Sequence, residues 1–412
     1  MPTEQEVAEQ ALEWFHSAWD PSLSLVEWRT LLLDSGWAVP SWSSKWFGRD
    51  LPAWADRVAH AAIRKAGGVA VPLGGGMGLA APTIYDHGSD ELKEKFLRPT
   101  ITGELAWCQL FSEPGAGSDL AGLKATAERD GDEWICNGQK VWNTSADHAD
   151  MGILVIRTDW GQVKHGGLSY FLIDMHQEGV ETRPIEQMNY YNSFNEVFLS
   201  DARIPHENMV GGEGDGWKVA RGTLAHERSF TAMRDVWFDP ASTGRVIDEA
   251  KEEAAEYNKT YEWYPQRKGR LDLVIDRARA MGKDKDPVIR QEIMKVISFN
   301  RAAEWTALRA RAARELGRPP GSEGSIGKLA LSEVARQCNH VHTMISGPNA
   351  MLKESDDPVD ATIAEVLIST PAQSIAGGTD EIQHNILGES ILGLPKEPAT
   401  DRGMPFRDVG KA

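Results

Sequence analysis

Leu110–Asp119 reads LFSEPGAGSD, and the rest of the chain is arranged around the loop that this stretch must form. Gly115, Ala116 and Gly117 follow Pro114 and precede Ser118 and Asp119, so the backbone can turn tightly and set bare N–H groups against a ligand. An anion or a flat polar ring suits such a turn. Taken alone, a Pro-Gly-x-Gly loop is more often a connector. It does not stand alone: VWNTS follows at Val141–Ser145, FNEVFLSDARIPHENMVG at Phe194–Gly211 and GGTDEIQHNILGESILGL at Gly377–Leu394.

The texture changes on both sides of the loop. From Ala106 to about Val210, short β-branched or alternating runs are bounded by Gly, Asp and Asn. They predict strands at Trp107–Phe111, Glu133–Cys136, Gly152–Arg157, Ser169–Ile173, Thr182–Ile185 and Asn195–Leu199. Asp130-Gly131 supplies the positive-φ residue of a hairpin, and antiparallel pairing is the natural outcome. Residues 1 to about 105 read as helices, with Val7, Ala11, Trp14, Phe15 and Ala18 at helical spacing. SDELKEKF (Ser89–Phe96) opens with a Ser cap and reads as a short surface helix leading to Gly103. The tryptophan-rich Gly36–Gly48 segment reads as core or inter-subunit packing in preference to a pocket wall. Beyond Gly214 the helical period returns at 217–235, Pro287–Leu316 and Ile326–Ile345, with a mixed-charge stretch from Val246 to Ala280 in between. The division that follows is α+β: a helical domain (1–105), a β domain (106–212) and a second helical domain (213–412).

Composition bounds the function. With 412 residues, 41% hydrophobic and 25% charged, the chain can build two or three cores. Its net charge of -17 argues against nucleic acid, which needs a basic face, although a local basic pocket for a phosphate group is compatible with it. Cys108, Cys136 and Cys338 are far apart, so neither a disulfide framework nor a metal site is expected. The acidic start MPTEQEVAEQ and the lack of any run of eighteen apolar residues predict neither export signal nor membrane span, hence a cytoplasmic protein.

The four strings, in this order and at this spacing, resemble the acyl-CoA dehydrogenase family from about Gly36 onward. The resemblance implies an N-terminal all-α domain, a middle antiparallel β-barrel and a C-terminal helical bundle. It implies FAD as cofactor, an acyl-CoA substrate oxidised to trans-2-enoyl-CoA, and electron-transferring flavoprotein as acceptor. A homodimer or homotetramer is the implied assembly. Removing a proton next to a thioester carbonyl needs a carboxylate base at contact distance and donors on the carbonyl oxygen.

Many relatives place a glutamate directly before the last Gly-Thr, but Gly377 occupies that slot here in Ile375-Ala376-Gly377-Gly378-Thr379. Others, resembling long-chain and isovaleryl-CoA dehydrogenases, carry it on an earlier helix before an arginine, and this chain has Glu227-Arg228. Independently of the family, Trp217, Ala220, Leu224 and Glu227 fall on one stripe of a helix, which sets a carboxylate among apolar side chains. Desolvation there raises a pKa and strengthens the base, whereas the bland alternative is a buried Glu paired with an arginine. Glu227 is the preferred base, with the Gly377 backbone N–H on the thioester oxygen.

The resemblance also places Leu110 and Ser112 at the flavin ring, Trp142 and Thr144 against it, and Gly117 and Ser118 by the pyrophosphate or the pantetheine arm. Thr379 and Glu381 fall where relatives meet the adenosine part of FAD, and Ser118 and Arg228 are the candidate substrate contacts. One departure stands out. A glutamine followed by Gly-Gly, which in relatives reaches a neighbouring subunit's FAD, reads Thr343-Met344-Ile345-Ser346-Gly347-Pro348, so that only Gly347 survives, and Arg290 is a weak substitute for a missing arginine. Three readings stay open: a complete dehydrogenase, a silent or half-competent subunit of a hetero-oligomer, and a flavin oxidase on the same scaffold. The EYNKTYEWYPQRKGRLDL piece (Glu256–Leu273) looks longer than is usual and reads as a solvated insertion.

Overall fold

Strands β4 (Met151–Arg157) and β5 (Leu168–Asp174) are apolar at almost every position because both of their faces are covered. Met151, Ile153, Val155, Leu168, Tyr170 and Leu172 pack into a helical core. Their neighbours Leu154, Ile156, Phe171 and Ile173 point the other way, into the interior of a curled sheet. The computed structural model describes residues 2–230, 238, 241–315, 321–352, 357–398, 401 and 403–409, without the side chains of 228–230, 314 and 315. Two compact units divide it, Met1–Ile185 with Ser193–Thr260 and Asp401–Ala412, and Glu186–Asn192 with Tyr261–Thr400.

In the first unit, β5 pairs antiparallel with one edge of β4. Along the other edge lie β1 (Trp107–Leu110) and then β2 (Thr126–Asp130), both parallel to β4. The sheet continues antiparallel through β3 (Glu133–Thr144), β7 (Phe194–Pro205) and β6 (Val180–Ile185). Gly131, at φ 64°, turns the β2–β3 hairpin as its dipeptide predicted. Phe171 bridges to Met209 just past β7, and Val210 N–H donates to the Tyr170 carbonyl at 2.8 Å, which curls the sheet towards closure. The parallel pairs depart from the expected all-antiparallel order. A parallel neighbour needs a long crossover, and residues 111–150 supply it between β1 and β4.

Helices α1 (Glu4–Ala18), α2 (Leu25–Asp34), α3 (Ala55–Lys65), α4 (Ala81–His87) and α5 (Asp90–Thr102) precede the sheet. Trp37, Trp42 and Trp46 of the tryptophan-rich segment are buried in their core, with Trp42 stacked on Tyr85 at 4.3 Å. Helix α5 is longer and more buried than a surface helix: it runs through Pro99 to Gly103 and buries Leu92, Phe96, Leu97 and Ile101. α6 (Gly216–Phe230) packs on β4 and β5. Positions 231–235 of the predicted 217–235 helix lie outside the described residues. α7 (Arg245–Thr260) occupies the first half of the mixed-charge stretch. Its Val246, Ile247, Ala250 and Ala254 are buried, and Glu253 takes two hydrogen bonds from buried Arg29 at 2.6 and 2.8 Å.

The second unit holds α8 (Tyr264–Arg267), α9 (Leu271–Ala280), α10 (Pro287–Glu315), α11 (Glu323–Ser346), α12 (Pro358–Ser369), α13 (Pro371–Ile375) and α14 (Asp380–Asn385). Val274, Ile293, Val296, Val334, Cys338 and Val341 form its core. Part of the 256–273 piece belongs here and is not solvated: Trp263 is 3% exposed, and Arg267 Nε donates to Gln373 Oε1 at 3.0 Å. Its indole must be buried somewhere, and α8 meets that need against α12 and α13. Among the described residues, no helix is long and apolar enough to cross a membrane.

Candidate cofactor and catalytic site

The LFSEPGAGSD loop is closed at its neck by its own glutamate. Glu113 accepts from the Lys124 N–H at 2.6 Å and the Ala125 N–H at 3.0 Å, while Glu113 and Ala116 exchange backbone hydrogen bonds at 3.0 Å. Lys140 reaches it from inside the sheet. Its ammonium uses all three donors, on Glu113 Oε1 at 2.8 Å, the Val155 carbonyl at 2.7 Å and the Phe111 carbonyl at 3.2 Å. Burial pulls this lysine below its ordinary pKa, and Glu113 pushes back. The two half-loops thereby hang from one buried ion pair.

The neck leaves Pro114, Gly115, Gly117, Ser118 and Asp119 exposed. A Cβ added at Gly115 or Gly117 would meet nothing within 4 Å, and neither residue has a left-handed φ. Nothing within the chain calls for glycine there, whereas a ligand approaching bare backbone does. A cleft of about 260 Å³ runs beside the neck, lined by Pro114, Gly115, Gly122, Lys124, Gly138 and Gln139 among others.

VWNTS lies against this loop. Val141 N–H donates to the Ser112 carbonyl at 2.9 Å, and the Asn143 amide to the Gln109 carbonyl at 2.7 Å. Between them the β3–β7 register slips, and Trp142 stands at φ 64° with its indole 58% exposed. A large residue in the left-handed region is strained, and the bulge aims it away from the sheet. Phe194 meets its ring edge-on at 5.8 Å. Asn195 holds the far side, donating to the Asn143 carbonyl at 3.1 Å and to Asp147 at 3.0 Å. Thr144 and Ser112 are half-buried. Leu110 differs: its side chain is fully buried in the sheet interior with Cys108, two residues before it on the same face of β1. What Leu110 can offer a ring is backbone.

On α6, Glu227 stands four residues after Thr223 and seven after Ala220, both fully buried, and is itself half-buried. Thr223 fixes this face. Its hydroxyl is 3.0 Å from Tyr170 Oη and 2.9 Å from Thr83 Oγ1, so β5, α4 and α6 share one buried chain of hydroxyls. Next to Glu227, His226 Nε2 lies 2.9 Å from Asp86 of α4. The Arg228 side chain lies outside the described residues.

In the second unit, Gly377 and Gly378 have φ 70° and 85°. Space is open around a Cβ at Gly377, but its backbone conformation is one that a glutamate would adopt only under strain. Thr379 caps α14, its side chain accepting from Ile382 N–H at 3.2 Å, and Glu381 is exposed on the first turn. Asp380 between them is buried. Burial alone would raise its pKa, but hydrogen bonds from Lys328 at 2.8 Å and Arg336 at 2.6 Å outweigh it and hold the carboxyl far below the usual range. Gly347 ends α11 at φ 59°, ψ −138°, open to glycine almost alone. Arg290 is exposed and spends a donor on the Asp284 carbonyl at its own helix start.

Glu113, Lys140, Asn143, Asn195 and Thr223 carry this architecture without having been singled out in the sequence. A lone lysine inside the β3 run was the one available signal. The buried side-chain amide oxygens of Asn143 and Asn195 lack a hydrogen-bond partner in the chain, near an exposed indole and a glycine loop with room for a ligand. The bare N–H groups of the open glycine loop can donate to a pyrophosphate and the exposed indole can face a planar ring, so Ser112, Gly117, Ser118, Trp142 and Thr144 are the residues that could hold such a cofactor. Among the described residues no group of three or more His, Cys, Asp or Glu could hold a metal.

Along the chain come helices, then a curled sheet bearing this loop, then further helices, the order of elements of a mixed α+β enzyme. The family models described as Acyl-CoA dehydrogenase N-terminal, middle and C-terminal domain match residues 3–104, 108–202 and 269–392. The chain belongs to the acyl-CoA dehydrogenase family: it is an oxidoreductase that acts on acyl-CoA and uses FAD. It is 34% identical over 325 residues to acyl-CoA dehydrogenase IpdE1 of Mycobacterium tuberculosis, covering 77% of this chain and 74% of that protein. With acyl-CoA dehydrogenase FadE34 of the same organism it shares 36% over 320 residues, 77% of this chain but only 39% of that protein. The crystal structure of the ChsE4–ChsE5 complex from M. tuberculosis matches with a TM-score of 0.64 at 25% identity, over 97% of this chain and 99% of that one.

Proposed function

We propose that this dehydrogenase oxidises the Cα–Cβ bond of an acyl-CoA thioester to trans-2-enoyl-CoA, with Glu227 as the base. The Glu227 carboxylate takes the proton from the α-carbon, and a hydride leaves the β-carbon as the double bond forms. FAD supplies the two-electron acceptor for that hydride. The Gly377 N–H polarises the thioester oxygen, which makes the α-proton more acidic. Trp142 and Thr144 orient the ring, Thr379, Glu381 and Gly347 meet the adenosine half, and Ser118 and Arg228 meet the substrate. Electrons then pass to electron-transferring flavoprotein. A base carried on the earlier helix reshapes the end of the pocket, which favours bulky or branched acyl groups.

The observation that carries this reading is Glu227's position one turn beyond buried Thr223, with glycine in left-handed backbone at the alternative slot. The test is turnover of Glu227→Gln on a panel of acyl-CoAs with an artificial electron acceptor. Loss of about 10²–10⁴-fold or more with the flavin absorption intact is expected of a lost general base, while activity within about tenfold of wild type overturns the assignment. A second reading, a half-competent subunit completed by a different chain, is favoured by the bare Gly347 in 343–348. The similarity to the ChsE4–ChsE5 complex also favours it.

A further inference from the structure

The 120–123 turn that follows the glycine loop rests on Arg157, a fully buried guanidinium at the end of β4. Its Nη2 donates to the Ala121 carbonyl at 2.8 Å, its Nε to the Leu123 carbonyl at 3.3 Å and its Nη1 to the Lys164 carbonyl at 3.2 Å. Lys164 in turn holds Asp119 with its ammonium at 2.6 Å. Carbonyls alone fix the direction of the guanidinium edge, and something must cover its face. Phe406 does so: its ring centroid lies 3.5 Å from the guanidinium carbon, with Trp160 beside it at 5.5 Å.

Phe406 is brought there by a short segment that adds itself to the β4–β5 connection. Pro405 bridges to Val163, Phe406 N–H donates to the Gln162 carbonyl at 2.8 Å and Arg407 N–H to the Trp160 carbonyl at 3.0 Å. All three family regions end before it, the last at residue 392.

We propose that residues 403–409 form a strap that positions the cofactor loop, Phe406 acting through Arg157, and that FAD affinity depends on it. The ring excludes water from the guanidinium and faces it with π density, so the three carbonyls keep their donors and the loop keeps one shape before the cofactor arrives. Phe406 is a positioning residue. The proposal rests on the reading that the Leu110–Asp119 loop meets FAD.

The test measures amide exchange at 120–123 in apo and FAD-loaded protein, together with FAD affinity by flavin fluorescence, for wild type, Phe406→Ala and Phe406→Trp. Phe406→Leu, which keeps apolar volume without a ring, replaces Phe406→Ala if the latter does not fold. The alanine variant is expected to exchange about tenfold faster at 120–123 and to bind FAD about tenfold more weakly, and the tryptophan variant to restore both. Unchanged exchange overturns the proposal. Faster exchange with unchanged FAD affinity also overturns it, and Gly117→Val then tells which premise failed. If Gly117→Val weakens FAD binding, the loop does meet the cofactor and the strap is irrelevant to it; if it has no effect, the loop assignment itself falls.

Discussion

Lys140 and Glu113 show how much a single buried pair can be asked to do. With no solvent at the ammonium, its three hydrogen bonds must replace hydration, and the carboxylate's two backbone N–H partners do the same for Glu113. The pair is not a stability gain by default, since burying two charges costs several kcal/mol before their attraction offsets it. Removing one member is the costly event. Lys140→Met is expected to lower the unfolding free energy by about 3–5 kcal/mol in urea, and Lys140→Met with Glu113→Leu to recover part of that loss. A double variant as unstable as the sum of the singles would show that the two side chains act independently. Cys108, Cys136 and Cys338 are the converse case: all are buried, and burial pushes each thiol up to about 12, so none is a nucleophile in the native chain.

At the scale of the element, the end of β3 trades regularity for presentation. The register slip and the left-handed Trp142 cost about 1–3 kcal/mol that a regular strand would not lose. Trp142→Gly relieves the strain while forfeiting an exposed ring and its edge contact with Phe194, so the apo protein's unfolding free energy should stay within about 1 kcal/mol of wild type. FAD affinity, read by fluorescence titration, should fall about tenfold or more. Equal losses in both would mean that the indole is there for folding. Local chemistry made such elements legible: glycines and proline marked the loop, Asp130-Gly131 the hairpin, and short β-branched or alternating runs the strands. Pairings over long sequence separations left no such mark. Nothing near Phe406 announces Arg157, nothing near Lys140 announces Glu113, and the parallel approach of β1 and β2 to β4 follows from a crossover that local propensity does not encode. The Val246–Ala280 stretch shows only mixed charge for a different reason, because its charges mask buried residues at helical spacing in α7.

For the whole molecule, the question is what covers α10. Met294, Trp305 and Leu308 fall at i, i+11 and i+14, on one side of the helix, and each is at least half exposed, Trp305 by 65%. A row of large apolar side chains in water is unfavourable by roughly 1.5–3 kcal/mol per residue against burial, which favours association of this face with another chain. We expect wild type to sediment at a multiple of its 45.4 kDa mass and Trp305→Glu to sediment as a monomer. The flavin content of the two preparations then separates the remaining readings of the cofactor site. If a second copy completes the adenosine half, flavin absorption is lost together with the assembly in Trp305→Glu. If a different chain completes it, wild type purified alone is already poor in flavin, and the substitution changes size without changing colour. A wild-type monomer that carries a full complement of FAD would show that this chain completes its own site, and the face on α10 would then need another explanation.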